Sequence, residues 1–194
     1  MGPEYLDMEP GVAPTRLETQ LTISEMLACL DVCYRDPLAF GAGVLFESWE
    51  ARAPLRGWTL RVEGVAPYVP GQFYRREMPC LLSLLAELPG LPDIVLVDAY
   101  VWLGGEAHPG LGARLHEALE RRAAVVGVAK TRYRGAEPVE IVKRGRSRSP
   151  LYVSAAGFPL AEAAAGVARM HGRGRLPLMI RRADVLARAA ERGE

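Results

Sequence analysis

Between Asp93 and Lys130 the chain leaves few folds open. Ile94, Val95, Leu96 and Val97 form an unbroken apolar run that ends in Asp98. Such a run predicts a parallel strand buried on both faces, with a carboxylate at the carboxyl end where open α/β sheets hold their chemistry. After a Gly-rich loop, the spacing predicts a helix over Leu111 to Arg122, with Leu111, Leu115, Ala118 and Leu119 along one side. Val125 to Ala129 then reads as a second buried strand that runs into Lys130. The result is a β-α-β unit with an acid and a base at neighbouring strand ends. Whatever meets them must come from elsewhere in the chain.

The 194 residues suffice for one well-buried domain, expected over residues 21–194 after a loosely ordered N-terminal arm of residues 1–20 that holds three prolines. With 24 Lys and Arg against 23 Asp and Glu, the formal charge of +1 neither demands nor excludes a polyanionic partner. Cys29, Cys33 and Cys80 make an odd count without a CxxC pair. This argues for reduced thiols buried as small hydrophobes, and against a disulfide scaffold or a zinc ribbon. No run approaches the ~20 apolar residues of a membrane span, and the acidic start lacks the regions of a signal peptide. A cytoplasmic protein with no membrane partner is expected.

The apolar segment LTISEMLACLDVCY carries Leu27, Cys29, Asp31 and Cys33 on one face if it is a strand, so Asp31 is an acid inside an apolar stretch. A buried carboxylate is costly unless it is paired or holds a metal. Binding backbone amides at a strand end is the alternative for Asp31. Phe40 to Trp49 and Gly57 to Val65 read as two further strands that complete an antiparallel meander. Pro67, Tyr68, Val69, Pro70 and Gly71 predict a stiff loop presenting Tyr68, which is either a surface turn or a working element. Arg75, Arg76, Glu77, Met78 and Pro79 lead into a helix expected to run through Leu88, with Leu81, Leu82, Leu85 and Leu88 at helical spacing and Pro79 tolerated in its first turn. Glu77 then sits at the helix start, where the dipole favours a carboxylate.

Beyond Lys130, a short strand is predicted within Pro138 to Val142, another over Leu151 to Ser154, and helices over Pro159 to Met170 and Met179 to Arg192. Lys143 to Ser149 places four basic residues in seven positions, among them Arg146 and Arg148. That run is either a solvated loop or a phosphate-binding one. Asp31, Glu77 and Asp98 together, with no His/Cys cluster, form a hard oxygen set suited to Mg²⁺ or Mn²⁺ rather than zinc.

The segments LDVCY, APYVPGQFYRREMP, PDIVLVD, AHPGLG, VVGVAK, PLYVS and RLPLMIRRAD occur in an order and spacing that resembles the endonuclease V family, over roughly residues 22 to 188. The resemblance implies the ribonuclease H-like α/β fold, a mixed sheet of an antiparallel meander plus parallel strands flanked by helices. It implies Mg²⁺-dependent cutting, with Mn²⁺ as a substitute, on the 3′ side of inosine or deoxyinosine in DNA, with RNA as the other candidate. By that resemblance Asp31, Glu77 and Asp98 bind the metal and Lys130 lies near the scissile phosphate. Pro67, Tyr68, Val69 and Pro70 form a strand-separating wedge, and His108 lies at the base pocket.

The sequence departs from the family in three places. Ala99, Tyr100, Val101 and Trp102 follow Asp98, where the family has Gly and a glycine-rich loop. The His108-Pro109-Gly110 segment is one residue short and lacks the family's arginines. Ala156-Gly157 stands where the family has a Gly-His pair, the histidine lying near the metal site. These departures keep two alternatives open: a relative that binds nucleic acid without cutting it, and a nuclease of the same fold with another substrate. His108 has a loop hydrogen bond as its plain alternative, His116 and His171 read as structural or solvent-facing, and Trp102 as either a base-stacking or a core residue.

Overall fold

The structure, a computed structural model, describes residues 25–67, 69, 71–104 and 108–193. The expected N-terminal arm lies outside the described residues, as do Tyr68 and Pro70. The meander forms as expected: β1 (Leu27–Arg35), β2 (Leu38–Phe46) and β3 (Arg56–Val62) pair antiparallel in sequence. Next come α1 (Tyr74–Ala86), β4 (Ile94–Val97), α2 (Leu111–Ala118), β5 (Ala124–Ala129), β6 (Glu140–Val142), β7 (Leu151–Ala156), α3 (Leu160–Arg169) and α4 (Leu178–Arg192). One seven-stranded sheet results, in the order β3-β2-β1-β4-β5-β7-β6.

The β-α-β unit is the hinge of this order, because β4 pairs parallel with both β1 and β5. All four β4 side chains are buried, as the unbroken apolar run predicts for a strand covered on both faces. Alternation along β1 divides the core. Leu27 and Cys29 join Ala163 and Val167 of α3 and Met179, Ile180 and Ala183 of α4. Ala28 and Leu30 join Leu81, Leu84 and Leu85 of α1 and Leu111 and Leu115 of α2. Cys29, Cys33 and Cys80 are free thiols. Among the described residues, no helix is long and apolar enough to cross a membrane.

Two helices differ from expectation. α1 already begins at Tyr74, so Pro79 falls in its second turn and not its first, it ends at Ala86, and the buried side is completed by Leu84 rather than Leu82. α2 stops at Ala118, because Glu120 and Arg121 turn the chain through positive φ values of 55° and 60°. Ala118 is therefore exposed, while Leu119 still reaches the core.

Candidate active site

The register of β1 on β4 brings the acids together. Leu30 pairs with Val97, the last residue of β4, so Asp31 and Asp98 follow at the same level on adjacent strands. Glu77 reaches them from the first turn of α1 and is only 8% exposed. Burial, then the charges of Asp31 and Asp98, push its carboxyl up to about 8. Asp31 is lifted to about 6 by burial first, then by Asp184 and Asp98, while Lys130 and Arg188 pull the other way. Burial is the larger cause in both, and the neighbouring carboxylates add to it, so ionising either group is costly without added positive charge.

Lys130, the residue after β5, sets its Nζ 2.6 Å from Asp98 Oδ2. Burial works against its ammonium, but the hydrogen bond and charge of Asp98, with Asp184 and Asp31 behind, raise its pKa above the ordinary lysine value. Among the described residues, no three His, Cys, Asp or Glu side chains stand ready as a closed cation cage. The donor set nonetheless fits a hard divalent cation. Glu77 Oε2 is buried with no hydrogen-bond partner, and the carboxylates of Asp31 and Asp98 act on it, an oxygen set that suits such an ion. A cation would satisfy the orphaned oxygen and stabilise the ionised carboxylates that burial and neighbouring acids disfavour.

Asp184 is the site residue the sequence reading left without a role. It comes from α4, whose buried side holds Met179, Ile180, Ala183 and Ala187, and it is the strongest charge acting on Asp31. Its ion pair with Arg188 one turn on, 3.1 Å, gives it the pattern of an ordinary surface pair. The available signal was its place at the end of the matching segment RLPLMIRRAD.

The site's surroundings correct other expectations. β7 runs antiparallel to β5, with Tyr152 opposite Ala129 and Ala156 opposite Val125, so β7 leads away from Lys130. Gly157 therefore lies at the far end of the sheet, not at the acids; a Cβ there would come 2.5 Å from the His116 ring. His116 itself is structural, its Nδ1 2.8 Å from the Ala123 carbonyl oxygen. Trp102 donates from Nε1 to the Ala155 carbonyl and packs against Val101, Ala113 and Ala156, which makes it a core residue. Within the basic run, Arg144 is buried and donates to main-chain carbonyls between Ala168 and Arg175, while Arg146 and Arg148 stay exposed. Pro67 and Val69 are exposed.

A largely apolar cleft of about 220 Å³ opens at Ala99, the residue after Asp98. Gly71, Phe73 and Tyr74 line it from the start of α1, Tyr100 and Leu103 from the loop after Asp98, and Arg114 from α2. His108 is not part of this lining: its Nδ1 lies 3.1 Å from the Gly104 carbonyl oxygen.

The sequence profile of Endonuclease V matches residues 12–145. The chain belongs to the endonuclease V family. Endonuclease V of Rhodospirillum centenum is 36% identical over 183 residues, covering 81% of this chain and 74% of that one. Endonuclease V of Desulfurococcus amylolyticus is 34% identical over 126 residues, 64% of this chain, and the match spans about half (52%) of that relative. The fold is also that of Ciona intestinalis endonuclease V, with a TM-score of 0.73 at 20% identity over 89% of this chain and 88% of the other. That protein was crystallised with a DNA containing an inosine followed by a ribo-adenosine. The ribonuclease H-like architecture expected from the sequence is thus the observed one.

Proposed function

We propose that this chain is a divalent-metal-dependent endonuclease that hydrolyses a phosphodiester on the 3′ side of a deaminated base, inosine or deoxyinosine, in DNA. The observation that carries the reading is Glu77 Oε2, a buried and unpartnered carboxylate oxygen in the shared field of Asp31 and Asp98. Family membership supports the reaction and its substrate class.

Asp31, Glu77 and Asp98 would hold Mg²⁺, with Mn²⁺ as a substitute. When bound, the ion supplies positive charge against the phosphate and a Lewis acid for the attacking and leaving oxygens. Lys130 exchanges its Asp98 partner for a phosphate oxygen of the strand and holds the scissile group in place. Asp184 adds negative charge behind Asp31 and keeps the cation affinity high. The cleft between α1 and α2 receives the extruded base, while Pro67, Tyr68, Val69 and Pro70 wedge the strands apart. Extrusion costs a few kcal/mol of unstacking, less at a damaged pair. Arg146 and Arg148 contact backbone phosphates, where they add salt-dependent affinity without sequence preference. Residues 21–194 act as one catalytic domain after an N-terminal arm, and the free thiols suit the cytoplasm.

The test is a cleavage assay on matched DNA and RNA strands with and without inosine, in Mg²⁺, in Mn²⁺ and in chelator. Metal-dependent cutting beside inosine is expected. Binding without cleavage, or cutting that ignores inosine, overturns the reading, and equal or better cutting of RNA moves the substrate from DNA to RNA.

A further inference from the structure

Among the described residues that line the cleft, Arg114 is the one charged side chain, and its chemistry bears on which base is accepted. Arg114 rises from the first turn of α2, its backbone N–H donating to the Gly110 carbonyl. Its guanidinium carbon lies 3.9 Å from the centre of the Tyr74 ring, and both side chains line the cleft. Arg114 Nε is buried and has no hydrogen-bond partner among the described residues. The group is thus placed by stacking, with donor capacity left unused.

The helix turn that carries it is packed closely from behind. A Cβ on Gly110 would lie 2.6 Å from the Tyr100 carbonyl oxygen, and one on Gly112 would lie 2.7 Å from Val101 Cγ2. The loop after Asp98 therefore packs directly on the start of α2, which fixes the turn of helix that carries Arg114. The acids are close in sequence on both sides: Ala99 lines the cleft next to Asp98, and Tyr74 lies one turn before Glu77.

We propose that Arg114 is a specificity-determining residue that reads the carbonyl oxygen of a 6-oxopurine held in this cleft; the proposal rests on the function proposed above. An arginine offers five N–H donors and no acceptor. Deamination of adenine replaces an amino group, a donor, with a carbonyl, an acceptor. A guanidinium facing that edge pairs with the oxo base and leaves both groups unsatisfied with the amino base. Stacking on Tyr74 presents the guanidinium as a planar fork, and the apolar walls keep water from standing in for it. The same logic sets the limit of the device. Guanine also carries a 6-carbonyl, so Arg114 separates hypoxanthine from adenine but not from guanine.

The experiment compares wild type with Arg114→Met, Arg114→Gln and Arg114→Lys on strands carrying hypoxanthine, unsubstituted purine, adenine or guanine at one position. Thermal melts verify that each variant folds; Arg114→Lys keeps the charge and Arg114→Gln keeps a donor. In wild type, hypoxanthine is cut well above unsubstituted purine and adenine. In Arg114→Met that preference falls by about tenfold or more, while the hypoxanthine-to-guanine ratio stays unchanged; Arg114→Gln and Arg114→Lys recover part of the preference. An Arg114→Met protein that folds and keeps the wild-type preference over purine and adenine overturns the proposal and leaves the endonuclease reading intact. So does a uniform loss on all four bases with a shallower salt dependence, which assigns Arg114 to a backbone phosphate. A wild type with no preference for hypoxanthine overturns both.

Discussion

Asp98 and Lys130 form the closest ion pair of the site, 2.6 Å apart, while Glu77 a helix away keeps one oxygen with no partner. The two carboxylates therefore start from opposite conditions, one paired with a lysine and one with an oxygen left open to an outside cation. Changing Asp31 or Asp98 to Asn is expected to cut activity by more than the about 10–100-fold typical of losing a group behind a metal ligand, with little change in the melting temperature. A cleavage assay beside a thermal melt checks this, and a fully active Asp98→Asn protein would sink the mechanism. Asp184→Asn removes a charge that acts through Asp31, so it belongs in the about 10–100-fold class, seen as a higher metal concentration for half-maximal cutting. A metal titration that superimposes on wild type would remove Asp184 from the site. Asp31 and Asp98 were legible in the sequence because each interrupts or ends an apolar run. Asp184 was not, since an Asp one turn before an Arg has the pattern of a solvated pair. Arg144 misled in the opposite sense: it sits in a basic run, yet it is buried against main-chain carbonyls that only the tertiary fold brings to it.

At the scale of elements, the site depends on how the loop after β4 crosses β5. Val101 N–H donates to Ser154 Oγ, 2.9 Å, with Ser154 fully buried, and a Cβ on Gly127 would lie 2.3 Å from the Ala99 carbonyl oxygen. Gly127 and Ser154 are register partners on β5 and β7, so one rung of the sheet supports the backbone immediately after Asp98. Ser154→Ala leaves the Val101 amide buried without a partner and is expected to cost about 1–3 kcal/mol. Urea denaturation measures that loss, and a variant within experimental error of wild type would show that the crossing does not depend on this bond. Gly127→Ala is expected to be worse for cutting than for stability, because the loop it displaces begins at the metal ligand. The strands, their neighbours in sequence and most helix faces could be read from apolar spacing. The crossing could not: Ala99, Tyr100, Val101 and Trp102 make an apolar string whose partners, Gly127, Ser154 and Ala155, lie far along the chain. The far-end placement of Gly157 escaped for the same reason, since the direction of β7 is a property of pairing and not of its residues.

For the whole molecule, the burial of Glu77 and Asp31, reinforced by repulsion from neighbouring acids, makes stability depend on pH. Glu77 goes from 4.5 in the unfolded chain to about 8 in the fold, and Asp31 from 3.8 to about 6. Both folded values are raised, so between the unfolded and folded values the native state binds more protons than the unfolded chain. Stability contributed by these groups is then full below about pH 4 and is lost as the pH rises toward about 8. Glu77→Gln removes the larger part, and its stability should fall less than that of wild type between pH 4.5 and 8 in metal-free buffer. Parallel profiles for the two proteins would show that Glu77 is not held protonated by its surroundings. Divalent metal acts against the same protons. Binding requires the ionised carboxylates, so added Mg²⁺ should raise the melting temperature more at pH 8 than at pH 6, through its preference for the native state. The two effects are coupled through one cluster, and Glu77→Gln should diminish both. If the variant flattened the pH profile yet kept the full Mg²⁺ shift, Glu77 would be a buried acid beside the cation site and not one of its ligands.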